Sequence, residues 1–290
     1  VSALQAGTVT VTVAGQSTTG NPVTISHDVT VDLAAVAISI DTIAVDDVIN
    51  AAEKGADLLL SGTTSNVEAN QTVSITFGGK HYTATVDASG NWTATVPSAD
   101  LAGLKDGEAS VRWGLPTGNG NSASAGREYG VEATAPAVTI DTVAGDNVIN
   151  ASEASAGVAI TGTTTAEAGQ TVTVTLGNKQ YTAQVQAGGT WSVNVPGADL
   201  TAMADNGYTV QVSVSDAAGN PGSAAKAITL DTTPPVISFN AVAVDDVINS
   251  VEHAQAQIVS GSATGANVGD RLVITVGSHQ YTTTVDASGN

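Results

Sequence analysis

A stretch of fourteen residues occurs three times in this chain. It reads Ile40-Asp41-Thr42-Ile43-Ala44-Val45-Asp46-Asp47-Val48-Ile49-Asn50-Ala51-Ala52-Glu53. Its second copy is Ile140-Asp141-Thr142-Val143-Ala144-Gly145-Asp146-Asn147-Val148-Ile149-Asn150-Ala151-Ser152-Glu153. A looser third runs from Phe239-Asn240 through Asp245-Asp246 to Glu252. Asn50, Asn150 and Asn249 lie 100 and then 99 positions apart. That period is the length of one small domain, so the chain is an array of like modules.

Within one period the apolar pattern alternates. Val73, Ile75 and Phe77 are interleaved with Thr72, Ser74 and Thr76, and Val172, Val174 and Leu176 repeat the pattern. Period-two alternation marks half-buried strands. Gly78-Gly79, Gly177-Asn178 and Gly277-Ser278 follow as two-residue hairpin turns, where glycine accepts positive φ. Leu58-Leu59-Leu60 reads as a buried strand, and Pro97–Asp106 as a corner plugged by Leu101 and Leu104. About seven short strands per period, with no 3.6-residue helical pattern, predict an all-β fold of tandem immunoglobulin-like β-sandwich repeats in a rod-like array. Pro136 and Pro234-Pro235 stiffen the links. The boundaries expected are 1–37, the last two strands of a repeat; 38–135 and 136–234, two full repeats; and 235–290, the early strands of another. This spacing reads as a segment cut from a longer array, or as one whose end completes the start of the next molecule.

Composition narrows the function. Eight basic against 27 acidic residues give a net charge of −19, which argues against nucleic acid and anionic membranes and favours cations. No apolar run has the length of a membrane helix. Cysteine is absent, so neither disulfides nor thiolate metal sites staple the modules. No Ser or Thr has a His/Asp partner in repeated register, so no catalytic triad is expected and the chain is read as a non-enzyme. His27, His81, His253 and His279 share no metal-ligand spacing.

The successions Asp231-Thr232-Thr233-Pro234-Pro235, Asp146-Asn147-Val148-Ile149-Asn150-Ala151-Ser152-Glu153 and Ser215-Asp216-Ala217-Ala218-Gly219-Asn220 resemble the bacterial Ig-like repeats of giant type I-secreted adhesins. The likeness is to the BapA-like biofilm-associated and SiiE-like kinds. It implies an extracellular, cell-surface rod with Ca2+ at or near the joints, and adjacent repeats as its partners. Host-cell or biofilm contacts would be made by other regions.

Calcium takes six to eight oxygens, chiefly from carboxylates and carbonyls. The acidic stretches offer Asp41, Asp46, Asp47 and Glu53; then Asp141, Asp146, Asn147 and Glu153; then Asp245, Asp246 and Glu252. An acid stands nine positions before Asp41, Asp141 and Asn240, at Asp32, Glu132 and Asp231. These fourteen residues are the candidate metal ligands, against the alternative that Asp and Asn simply make turns. The Asp216–Asn220 loop is either a second site or an Asx turn; the matching place in the first full repeat is near Leu115-Pro116-Thr117. Trp92 and Trp191 share one register and are expected in the core. Trp113, beside Arg112 in a strand matched to Ser213-Val214, is a candidate surface contact. Three functions follow: a calcium-stiffened adhesin spacer, a glycan- or protein-binding module, or an accessory array of an extracellular hydrolase.

Overall fold

The computed structural model describes residues 4–116 and 120–290. They form two compact units, one of residues 1–136 with 215–222 and the other of 137–214 with 223–290.

The first unit opens with a hairpin of β1 (Gly7–Gln16) and β2 (Pro22–Val31). Its full repeat continues with β3 (Ala37–Ile38), β4 (Val48–Ile49), helix α1 (Ala51–Lys54), β5 (Leu58–Ser65), β6 (Thr72–Phe77) and β7 (Lys80–Thr85). It closes with β8 (Asn91–Val96), helix α2 (Ser98–Leu101), β9 (Gly107–Pro116) and β10 (Ser122–Val131). A five-stranded sheet in the order β4-β10-β9-β6-β7 faces a three-stranded sheet β3-β5-β8. Val73, Ile75 and Phe77 from one sheet and Leu60, Trp92 and Val96 from the other are at most 2% exposed. Each fully buried side chain of this size contributes about 1.5–3 kcal/mol. Phe77 stacks on Tyr129 at 4.7 Å between ring centroids.

The second unit repeats this plan with β11 (Val148–Asn150), helix α3 (Ala151–Ala156), β12 (Val158–Thr163), β13 (Thr171–Leu176) and β14 (Lys179–Gln184). Next come β15 (Thr190–Val195), helix α4 (Gly197–Leu200), β16 (Asn206–Ser215) and β17 (Pro221–Asp231). The sheet β11-β17-β16-β13-β14 faces β12-β15, and a single bridge, Val138 to Thr164, stands where β3 pairs in the first repeat. The third copy adds β18 (Val236–Phe239), β19 (Gly261–Thr264), β20 (Arg271–Val276) and β21 (His279–Thr284), paired as β18-β19 and β20-β21. These are tandem all-β Ig-like sandwich repeats.

Two details differ from the sequence reading. In the two full repeats, short helices of four to six residues follow the acidic stretch and the Pro97-type corner. They are too short to show a 3.6-residue period. Trp113, a candidate surface contact by sequence, is 5% exposed and lies in the core. With Gly107 aligned to Asn206, its counterpart is Val212, not Ser213. A one-residue slip in strand register exchanges inward and outward faces. Among the described residues no helix is long and apolar enough to cross a membrane.

One close approach recurs. A Cβ on Gly62 would lie 2.0 Å from the Ser39 carbonyl oxygen and 2.7 Å from Cζ2 of Trp92. On Gly162 it would lie 2.0 Å from the Thr139 oxygen and 2.6 Å from Cζ2 of Trp191. Only glycine lets the first edge segment of the repeat cross directly over the indole.

Candidate functional site: the acidic loops

Each acidic stretch folds into a loop held by its own carboxylates. Asp47 Oδ1 accepts the Ile43 N–H at 2.9 Å, Asn147 Oδ1 accepts the Val143 N–H at 3.0 Å, and Asp246 Oδ1 accepts the Val242 N–H at 2.8 Å. The shared task at this position is to close the loop with an oxygen four residues on, which an amide does as well as a carboxylate. All three residues have positive φ, 66°, 68° and 63°, and Asp and Asn tolerate that region. Ala44 and Val45 (φ 49° and 74°) and Ala243 and Val244 (φ 53° and 76°) are also left-handed. Val45 is 90% exposed, and a β-branched residue is strained in this region. The second copy has Gly145 at that place.

The other carboxylates have equally local partners. Oδ1 of Asp46, Asp146 and Asp245 accepts the N–H two residues on, at 3.0, 2.8 and 3.1 Å. Asp41 accepts the Ser61 hydroxyl at 2.6 Å and Asp141 the Thr161 hydroxyl at 2.7 Å, tying the loop to the neighbouring strand. Asn240 keeps that tie as donor to Ser260 Oγ, at 3.1 Å.

Glu53, Glu153 and Glu252 each accept the N–H of the asparagine three residues before, at 3.0, 3.0 and 3.1 Å. Asn50, Asn150 and Asn249 return the bond to the glutamate N–H at 3.0, 3.1 and 3.1 Å. This reciprocal arrangement is a capping box. The Asn-x-x-Glu spacing is also a helix-start signal, which the sequence reading did not use.

The linker acids come to the same place through strand pairing. In the first repeat β10 runs parallel to β4, and the Glu132 N–H donates to the Ile49 carbonyl at 3.0 Å. In the second, Asp231 lies opposite Asn150 in the parallel β11-β17 ladder. Glu132 and Asp231 therefore sit beside the acidic loop of their own repeat. Asp32 Oδ1 accepts the Ala34 N–H at 3.0 Å.

Sequence reasoning missed the carboxylates that fix the linkers. Asp106 accepts from the Ala133 N–H and the Thr134 hydroxyl. Asp205 accepts from the N–H and hydroxyl of both Thr232 and Thr233. The Thr233 and Thr232 hydroxyls, with the Thr232 N–H, bring the Asp205 carboxyl down to about 2. Their signal was recurrence immediately before β9 and β16. Asp100 and Asp199 form a second recurrent group, each paired with a lysine (Lys80, Lys179) and a tyrosine hydroxyl (Tyr82, Tyr181). Burial, then the Asp100 hydrogen bond, pushes Tyr82 up to about 12.

The two full repeats differ at one cation. Arg127 pairs with Asp47, and its hydrogen bond to the carboxylate lowers the Asp47 pKa below the usual carboxylate range. Lys226, the counterpart of Arg127, reaches the Ile140 and Asp141 carbonyls instead, at 3.0 Å each. A neutral Asn147 leaves it no carboxylate to meet.

The Asp216–Asn220 loop belongs to the first unit. It forms the Asx turn: Asp216 Oδ1 accepts the Asn220 N–H at 2.7 Å. Asn220, 2% exposed, also accepts the Ala51 N–H and donates to the Glu132 carbonyl, both at 2.7 Å. The matching place in the first repeat extends to Thr117, outside the described residues.

Carboxylate and carbonyl oxygens of these loops suit a hard cation in kind. In arrangement, no three His, Asp or Glu side chains among the described residues converge where an ion would be held.

The fold and the loops together define an Ig-like structural repeat. Residues 141–232 match the model of the bacterial Ig-like domain family. The chain is 35% identical to a solved structure described as a Ca2+-stabilized adhesin that helps an Antarctic bacterium reach out and bind ice; the match covers 98% of this chain and 72% of that one, with a TM-score of 0.47. It is 33% identical to a 1.5-MDa bacterial ice-binding adhesin, over 89% of this chain and 86% of that one, with a TM-score of 0.47. It is 42% identical to a bacterial immunoglobulin-like domain of the M. primoryensis ice-binding adhesin, over 35% of this chain and all of that one, with a TM-score of 0.29. No curated protein matches it. On the family match and on sequence identity along its length, not on superposition, the chain belongs to the bacterial Ig-like domain family.

Proposed function

We propose that this chain is a spacer segment of a bacterial surface adhesin, exported and displayed outside the cell, whose repeats extend and hold a distal binding region. The observation that carries this reading is the recurrence, in register, of one sandwich with the same loop anchors at Asp47, Asn147 and Asp246. A spacer needs like modules more than a unique pocket. Sequence similarity to adhesins, one of them described as Ca2+-stabilized, supports it. Biofilm association of the BapA-like or SiiE-like kind is part of the same proposal, as are the repeat boundaries near 38, 136 and 235. The glycan-binding alternative loses its main hint with Trp113 inside the core.

Ca2+ belongs to the proposal as the ion held by the fourteen acidic-loop and linker positions, with dissociation constants of about 0.1–1 mM. It would offset repulsion among carboxylates in a chain of net charge −19. Calorimetric titration and thermal unfolding of the whole chain test this. Saturable Ca2+ binding and a higher unfolding temperature, reversed by chelator and not matched by Mg2+, are expected. No heat and no shift at about 10 mM Ca2+, well above that range, would remove calcium from the reading. Strong, saturable binding in glycan or host-protein screens would replace the spacer with a recognition module.

A further inference from the structure

The outer face of the large sheet differs between the two full repeats. In the first, Thr76 of β6 stands between His81 of β7 and Arg112 of β9, and Gly126 of β10 continues the row. The next row runs Ser74, Gly114, Ser124. Apart from His81, these residues line an open trough of about 500 Å³. In the second repeat the same register sets Thr175 between Gln180 and Gln211, and Thr173 opposite Ser213. Val131 and Leu230 hold equivalent places beside Ile49 and Ile149, so Gly126 corresponds to Ala225. The first repeat therefore has arginine and two glycines where the second has glutamine, serine and alanine. The change is confined to this face, because the residues between, such as Val111 and Val210, are core in both.

The fold does not require either glycine. Neither Gly114 nor Gly126 has positive φ. A Cβ would lie 3.2 Å from its nearest atom at Gly114 and 3.3 Å at Gly126, and Ser213 and Ala225 occupy the equivalent places. Glycine inside a strand weakens it, and marks a place where a ligand or another backbone comes close. Arg112 is exposed, and among the described residues no acceptor meets its guanidinium. Glu128, one row away opposite Ser110, does not pair with it.

We propose that this trough binds an acidic sugar. The guanidinium fork of Arg112 matches a carboxylate with two parallel bonds. The hydroxyls of Ser74, Thr76 and Ser124 can each donate and accept, as sugar hydroxyls require. The glycines clear the floor between them, so that a ring can lie against the strands. One charged contact in an open trough gives weak, millimolar binding. Such a site on one repeat goes beyond the spacer reading and leaves it intact.

The test is a titration of the whole 15N-labelled chain with D-glucuronate, followed by NMR. The Gly114 and Gly126 amides and the Arg112 side chain should shift saturably, while Ser213 and Ala225 stay still. D-glucose should shift none of them, and acetate should bind at least tenfold more weakly. Arg112→Gln should weaken glucuronate binding at least tenfold. Gly114→Ser with Gly126→Ala should abolish it without lowering thermal stability, since both install the second repeat's residues. Conversely, Gln211→Arg with Ser213→Gly and Ala225→Gly should create a site in the second repeat. N-acetylneuraminate, run alongside, distinguishes the kind of acid: tighter binding than glucuronate would assign the trough to a sialic rather than a uronic acid. No saturable shift with either acid overturns the proposal. So does binding of glucose or acetate equal to that of glucuronate, or an Arg112→Gln chain that binds as the unmodified one does.

Discussion

Asp47 holds a loop closed and carries a charge, and two substitutions separate these tasks. Asp47→Asn keeps an oxygen for the Ile43 N–H, as Asn147 does for Val143, and loses the ion pair with Arg127. The pair's side chains are 32% and 29% exposed, so its loss should cost about 0.5–1 kcal/mol. Asp47→Ala also strands the N–H of Ile43, a residue 1% exposed, and sets alanine at a φ of 66°. Those two effects bring the total to roughly 2–4 kcal/mol. Urea unfolding of the whole chain, followed by fluorescence in a Trp191→Phe background, reports on the first repeat through Trp92 and Trp113. The acid limb gives a second reading. Because Arg127 lowers the folded pKa of Asp47, its contribution is complete above the unfolded value of about 4 and is lost as pH falls through the folded one. Asp47→Asn should therefore unfold with a shallower dependence on pH below about 4. Equal losses from Asn and Ala would refute the loop-closure argument. So would an alanine variant as stable as the asparagine one.

Further tests follow from other contacts. Gly162→Ala forces a methyl group to within 2.0 Å of the Thr139 carbonyl and should destabilise the second repeat by about 3 kcal/mol or more in urea unfolding; a loss under about 1 kcal/mol would show that the crossing segment yields freely. Asn150→Ala removes the acceptor for the Ser152 and Glu153 N–H groups and should cost about 1 kcal/mol, with faster hydrogen exchange confined to α3. For Asp205, whose pKa is lowered to about 2, the stabilisation is complete above about pH 4 and fades as pH falls toward 2. Slow exchange of the Thr232 and Thr233 amides should fade over the same window and be weak at every pH in Asp205→Ala.

How much of this was legible in the sequence depended on the range of each interaction. Alternation at Val73, Ile75 and Phe77 places those side chains in the core because strand periodicity is local. The recurrence of Trp92 at Trp191 likewise identified a packing position. Trp113 was misplaced by one residue of alignment, although its own alternation with Val111 and Leu115 pointed inward. The acidic loops were found, but the partners of their carboxylates were not. Arg127 meets Asp47 across 80 positions, a distance no local pattern spans. Asn147 in the place of Asp47 was the available clue: a position that accepts a neutral amide works as a hydrogen-bond acceptor first. Glu53 is similar: its spacing from Asn50 fits a helix cap as well as a ligand, and the two roles use the same carboxylate.

The parallel pairing of β4 with β10, and of β11 with β17, bears on how a repeat meets a pulling force. A pull on both ends first draws off β3 or its single-bridge equivalent. Tension then reaches two neighbouring segments that point the same way and are tugged in opposite directions. Their bonds, Gly130 N–H to the Asp47 carbonyl and Glu132 N–H to the Ile49 carbonyl, are strained together in shear. An antiparallel hairpin opened from its free end would instead surrender them one at a time, like a zip. The acidic loop lies just before this clamp, so it is the slack taken up before the repeat begins to resist stretching.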